Sequence, residues 1–344
     1  MTTLEFLSPQ AASVAATMAL VPTQASPSLP APMHVPDGFL SAWVSVLLWI
    51  VAIVGVGYAL KRVNRELDER KVPLMGVMAA TIFAGQMLNF SVTGGTSGHL
   101  MGAALAAIVL GPWAAVVVMA CVVGTQALLF QDGGLLALGA NIVNMGLVGV
   151  AVGYATHLTV QKLAGRQRWG LLAGGFVSGW LSIVVAALFV ALQLAISGTS
   201  PANVSVPAMG GIHMLIGIGE GLITAGALAL LMAARPDLVT AGVGQGATSK
   251  ALWAGGLAIA VLLAVFSPYA SSHPDGLEWV AEQQGFLGSA QSAPYELFPD
   301  YVLPGISNEA LATIAAGVVG LLVVFAVMWL VTTSRRKRTA APTS

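Results

Sequence analysis

His34 lies in the run Met33-His34-Val35-Pro36-Asp37-Gly38-Phe39-Leu40. If Met33 carries a free α-amine, three nitrogens of this dipeptide can close on one ion. Amine to deprotonated His34 amide makes a five-membered ring, and amide to imidazole Nδ1 makes a six-membered one. Nitrogens held in one plane suit a tetragonal or square-planar ion, Ni(II) or Cu(II) by preference. One further nitrogen completes the plane, and His99 offers it from Gly94-Gly95-Thr96-Ser97-Gly98-His99-Leu100. Glycine and Ser97 there form an irregular turn that brings backbone close to an ion. Each histidine also has a plainer reading: His34 as a surface residue ahead of a proline turn, His99 as a capping or interfacial residue.

Glu220 sits in the apolar stretch Gly217-Ile218-Gly219-Glu220-Gly221, where a carboxylate is costly and so marks a functional candidate. The alternative is a carboxyl held by helix contacts. His213, seven residues earlier, falls two helical turns away on the same face, so the two can share a polar path or support the site. Asn89, Asn141 and Asn144 read as interhelical hydrogen-bonding groups, with Asn89 also placed near the ion's path. His157 reads as interfacial and structural. No H-E-x-x-H pair occurs, and the stretch from Gly242 to Lys250 has its lysine in the wrong place for a phosphate-binding loop. Cys121 is the one cysteine, which excludes an internal disulfide and a thiolate cluster. Haem ligation or metal hydrolysis needs clustered ligands that five scattered histidines do not supply.

The elements that must hold these residues are membrane helices. Charged residues make up 8% of the chain, against about 25% in a soluble domain, and the mean hydropathy is +0.85. Apolar runs at 41–60, 74–92, 99–111, 113–130, 137–159, 170–197, 211–234, 251–268 and 311–332 predict an all-α, polytopic transmembrane bundle of about nine spans. Segment 99–111 is short and ends at Gly111-Pro112. Basic residues follow the first, fifth, seventh and ninth runs, ending in Arg335-Arg336-Lys337-Arg338. With Met33 outside, nine crossings place all 14 Lys and Arg in the cytoplasm, as retention of positive charge requires. The same topology puts His34 and His99 on the outer side and the C-terminus inside, in a plasma (inner) membrane.

Residues 1–32 have no Lys or Arg and so lack the basic start of a signal peptide. They read as a leader absent from the mature protein, with Met33 as the first residue. Residues 33–235 then form a metal-binding membrane unit. Residues 236–250 form a polar linker, and 251–334 a two-span unit with an acidic outer loop at 269–310. Residues 335–344 form a basic cytoplasmic tail, which anchors the last span and is not a nucleic-acid patch.

These motifs resemble a known family. The Met33–Leu40 run, Leu88-Asn89-Phe90 through His99-Leu100, Gly111-Pro112-Trp113 and Ile216–Gly221 look like the CbiM/NikM substrate-binding components of energy-coupling factor transporters. Residues 250–332 look like the CbiN/NikN partner, here fused, and contain its Pro274-Asp275-Gly276-Leu277-Glu278 string. The resemblance implies a non-enzymatic subunit that captures Ni(II) or Co(II) as its substrate ion, without a catalytic cofactor. It implies Met33, His34 and His99 as metal ligands, with Asn89, Ser97, His213 and Glu220 supporting the site or the path. It also implies a transmembrane coupling subunit and cytoplasmic ATPase subunits as partners. The leader departs from the pattern, because a residue ahead of Met33 would turn the amine into an amide. Two other classes stand beside this one: an ion-coupled secondary transporter built on Glu220, and a membrane oxidoreductase.

Overall fold

The structure is a computed structural model that describes residues 33–66, 72–165, 167–236 and 250–334. The expected leader, most of the linker and the basic tail lie outside the described residues. The described chain is mostly helical, with one short hairpin. In order come α1 (Ala42–Glu66), α2 (Val72–Gln86), strands β1 (Phe90–Val92) and β2 (Thr96–Gly98), and α3 (Ala103–Leu110). There follow α4 (Pro112–Thr125), extended by a π-helical turn Gln126–Phe130, and α5 (Leu138–Ala164), whose early part Ile142–Val148 is also π-helical. Then come α6 (Arg168–Ser197), α7 (Ala202–Ala234), α8 (Lys250–Phe266), the short α9 (Gly276–Gln283) and α10 (Glu309–Ser334).

Six helices (α1, α4 with its π turn, α5, α6, α7 and α10) are long and apolar enough to cross a membrane by length and composition. Their outward faces carry side chains that water would not tolerate in such density: on α1, Trp43, Ile53 and Val54 are 59%, 64% and 66% exposed. Hydrocarbon solves that problem, and a helix satisfies its own backbone there. The chain is thus a multi-pass helical membrane protein, as its hydropathy predicts.

Three of the nine expected spans fall outside these six: 251–268 forms α8, a helix of 17 residues, and the other two take a different form. Segment 99–111 contains a helix of only 8 residues. At about 1.5 Å per residue that is roughly 12 Å, well short of a bilayer core. The left-handed Gly102 starts it, and Gly111 followed by Pro112 at the first position of α4 stops it. Segment 74–92 stops being helical at Gln86, and its end becomes β1 of the hairpin, with Phe90 paired to Gly98 and Val92 to Thr96. Gly94 and Gly95, at φ 96° and 79°, turn the hairpin. Hydropathy counts apolar residues but does not see where backbone leaves the helix.

Helix α2 is buried along nearly its whole length, packed by α4, α8 and α10. That explains its apolar character on every side. The two C-terminal helices therefore lie against the rest of the bundle and not apart from it. The loop between α8 and α10 is tied down across four segments of the N-terminal region. Ser271 N–H donates to Asn89 O at 2.8 Å, Ser97 N–H to Pro274 O at 2.8 Å, Gln291 N–H to Asp37 O at 2.8 Å, and Phe298 N–H to Leu129 O at 3.0 Å.

Candidate metal centre

His34 precedes α1 on a short non-helical stretch and is buried. Its backbone needs are met by side chains from other segments. Val35 N–H donates to Asn141 Oδ1 at 3.1 Å, and Asn141 Nδ2 donates back to Val35 O at 3.0 Å, an amide clamp that mimics a strand partner. Asp37 caps the loop before α5, accepting from Leu135 N–H at 3.0 Å and Ala137 N–H at 2.9 Å. This approach demands glycine at the loop: a Cβ on Gly134 would lie 1.9 Å from Asp37 Oδ1, and Gly133 holds φ +93°.

His99 follows β2 on the opposite wall. The two imidazole rings stand edge to face with centroids 5.6 Å apart. His99 Nδ1 lies 3.1 Å from Leu100 O, so a proton there leaves Nε2 with the lone pair. His34 Nε2 is buried and has no hydrogen-bond partner. The chelate set out above binds through Nδ1 of His34, so this nitrogen is not one of its ligands. The rings border a cavity of about 80 Å³, whose lining includes Met33, Asn144, His213 and Asp275. That volume holds an ion and one or two waters, each taking about 30 Å³.

Asp132 lies behind His34. Its Oδ1 lies 3.0 Å from His34 Nδ1 and accepts from His34 N–H at 3.2 Å. Burial opposes the charge on both partners. Each partner's charge and their hydrogen bond outweigh it, raising the His34 pKa and lowering that of Asp132. Burial pushes the Asp275 carboxyl up to about 8. Amide nitrogen and Nδ1 of His34 are the two atoms the ring-size argument selects, and both face one carboxylate oxygen. Closing the chelate on an ion takes both from Asp132. Among the described residues no three His, Cys, Asp or Glu side chains converge as a metal-binding group. A set made of backbone nitrogens and two imidazoles needs no such cluster.

The supporting candidates divide. His213 lines the cavity, with Nδ1 2.8 Å from Met209 O. Glu220 does not share that path: its carboxylate accepts from Met101 N–H at 2.7 Å and Gly102 N–H at 3.0 Å. It satisfies the irregular backbone between His99 and α3, so it fixes the segment that carries His99. Ser97 Oγ donates to His273 O at 2.8 Å, tying β2 to the C-terminal loop. Asn89 lies away from the cavity lining, with its backbone carbonyl bonded to Ser271. Asn144 lines the cavity and is locked to Gln193 by paired amide bonds of 2.9 and 2.6 Å. Residue-by-residue reading misses Asp132, which sits in a short loop with no motif of its own. The one available signal is its charge beside two glycines at the junction of two apolar runs. The π-helical turns that flank this loop also point to a functional site.

A membrane bundle that gathers histidines around a small cavity has the layout of a transport protein. The comparisons agree. Residues 34–238 match the CbiM family, described as a cobalt uptake substrate-specific transmembrane region, and residues 250–337 match the PDGLE domain. A protein of Archaeoglobus fulgidus named as a NikMN-type fused nickel transport protein is 39% identical over 90% of this chain and 100% of its own. The cobalt transport protein CbiM of Sorangium cellulosum is 37% identical over 59% of this chain and 91% of its own. A crystal structure described as a truncated transition metal transporter aligns with TM-score 0.53 at 33% identity, covering 58% of this chain and 99% of that one. The chain belongs to the CbiM family, with a PDGLE domain on its C-terminal side.

Proposed function

We propose that this protein captures Ni(II) or Co(II) at the outer face of the cell membrane and passes it inward. It acts as the substrate-specific subunit of an ATP-driven energy-coupling factor importer. The observation that carries the reading is the pairing of His34 and His99 across a small cavity, with the amide nitrogen and Nδ1 of His34 turned toward one point. The Met33 amine, the His34 amide and imidazole, and His99 Nε2 supply a planar set of four nitrogens. Met33 is therefore the working N-terminus, since an acylated nitrogen is a poor ligand. Asn144 and His213 border the path, while Glu220 and Ser97 hold the walls. Met33 and the loop 269–310 face outward and the C-terminus faces the cytoplasm. The nickel and cobalt transport named for the relatives agrees with this ligand set. A transmembrane coupling subunit and cytoplasmic ATPase subunits supply the energy.

The test is uptake of radioactive nickel or cobalt by cells producing this chain from Met33, with and without the coupling and ATPase subunits. Concentrative uptake is expected only with the partners. Equal uptake without them would instead point to ion-coupled transport.

A further inference from the structure

Besides Asp275, which lines the cavity, the C-terminal unit reaches the candidate centre through a hydrogen bond to Asp132. Tyr301 donates its hydroxyl to Asp132 Oδ2 at 2.5 Å, across 169 residues of sequence. The other oxygen of the same carboxylate is the one that faces His34 N and Nδ1. Tyr301 and His34 therefore grip opposite ends of a single buried carboxylate.

The contact is built and not incidental. The Tyr301 ring stacks on Phe130 with centroids 4.7 Å apart and planes 16° from parallel. Phe298 N–H donates to Leu129 O at 3.0 Å, so the same short segment grips the π turn that leads to Asp132. Backbone strain collects here too. Gln131, Asp300 and Tyr301, with φ of 55°, 53° and 59°, are the non-glycine residues with positive φ among those described. Such conformations persist only where their surroundings over-determine them. Two strained residues present Tyr301, and the third presents Asp132.

We propose that Asp132 is a positioning residue for cargo loading, set in place by Tyr301 of the C-terminal unit. This rests on the reading of His34 as a ligand. Oδ1 holds the amide and Nδ1 of His34 turned toward one point, the convergence a chelate needs. An arriving ion takes over both nitrogens as the amide proton, and any proton on Nδ1, leave to water, while Tyr301 retains Oδ2 and keeps the displaced carboxylate beside the cation. The C-terminal unit thus contributes to the metal site without donating a ligand.

Tyr301→Phe keeps the stacked ring and removes only the hydroxyl. In cells carrying the full transporter, its apparent KM for nickel or cobalt should rise about tenfold, the scale on which groups behind a metal ligand act, with Vmax retained. A variant that simply folds less well lowers Vmax instead. Asp132→Asn should raise KM at least as much. The double variant should match Asp132→Asn alone, because the tyrosine works through that carboxylate. Additive losses, or a wild-type KM for Tyr301→Phe, would overturn the inference. If Tyr301→Phe does not accumulate in the membrane, Asp132→Asn decides alone, and a wild-type KM there overturns it. His99→Ala, run in parallel, separates the two claims. Wild-type uptake in that variant removes the site itself, whereas loss of uptake beside an unaffected Tyr301→Phe removes only the role of Asp132 and Tyr301.

Discussion

Two cavities in this molecule differ in size and in character. The one beside His34 and His99 is about 80 Å³, while a cleft among α2, α3, α7 and α8 reaches about 410 Å³. The larger one is walled by Leu74, Val77, Leu105, Leu231 and their neighbours, and nearly all of its lining is apolar. The smaller one has imidazoles, amides and a carboxylate on its walls, and a buried His34 nitrogen without a partner. In a membrane protein, volume is the weaker guide. Gaps between helices fill with lipid or a neighbouring chain at little cost, but polar groups at that depth persist only where they are used or satisfied. Glu220, whose carboxylate accepts two N–H groups, shows the satisfied case.

Substitutions can break this contrast, and the largest effects belong to the small cavity. His34→Ala and His99→Ala should each remove high-affinity nickel or cobalt binding, a fall of at least a hundredfold in titration calorimetry on purified protein. Wild-type affinity in either would dissolve the distinction between the cavities. An alanine inserted between Met33 and His34 comes next. It keeps the amine and both imidazoles but changes the chelate ring sizes, so uptake should be strongly impaired. Unimpaired uptake would show that the imidazoles alone hold the ion.

Glu220→Ala should act chiefly on stability. It strips the partners from two buried N–H groups, Met101 and Gly102, at about 1–3 kcal/mol for each. The purified variant should melt well below wild type, and its metal affinity should fall less than that of His99→Ala. Stability unchanged alongside abolished transport would return Glu220 to the ion's path. The smallest effect on metal is expected in the apolar cleft. Leu74→Ala removes a buried side chain and should cost on the order of 2–5 kcal/mol of stability, with affinity within about twofold of wild type. A large change in affinity there would tie the cleft to the site.

Much of the fold is legible in the residue pattern. The long apolar runs mark α1, α4, α5, α6, α7 and α10, because a bilayer imposes both length and composition on whatever crosses it. Gly111-Pro112 marks a break, and the helices on either side stop and start there. The hairpin between α2 and α3 is less legible. Its strands are three residues each, too short for an alternating pattern to register. His34 and His99 stand out because imidazole is rare in such a chain and its chemistry is specific.

The sequence by itself determined that this protein lives in a membrane, and it offered a Met-His dipeptide and a second histidine as candidate metal ligands. Both follow from local composition and covalent ring sizes, which need no tertiary contact. Only the folded chain decided that Asp132 faces His34, that Tyr301 holds Asp132, and that Glu220 serves the backbone beside His99. These partners lie 98, 169 and 119 residues apart. A buried carboxylate carries the same signal in sequence whatever it meets. Its role depends on which donors the packing of distant helices and loops brings within hydrogen-bonding reach, and no local pattern encodes that distance.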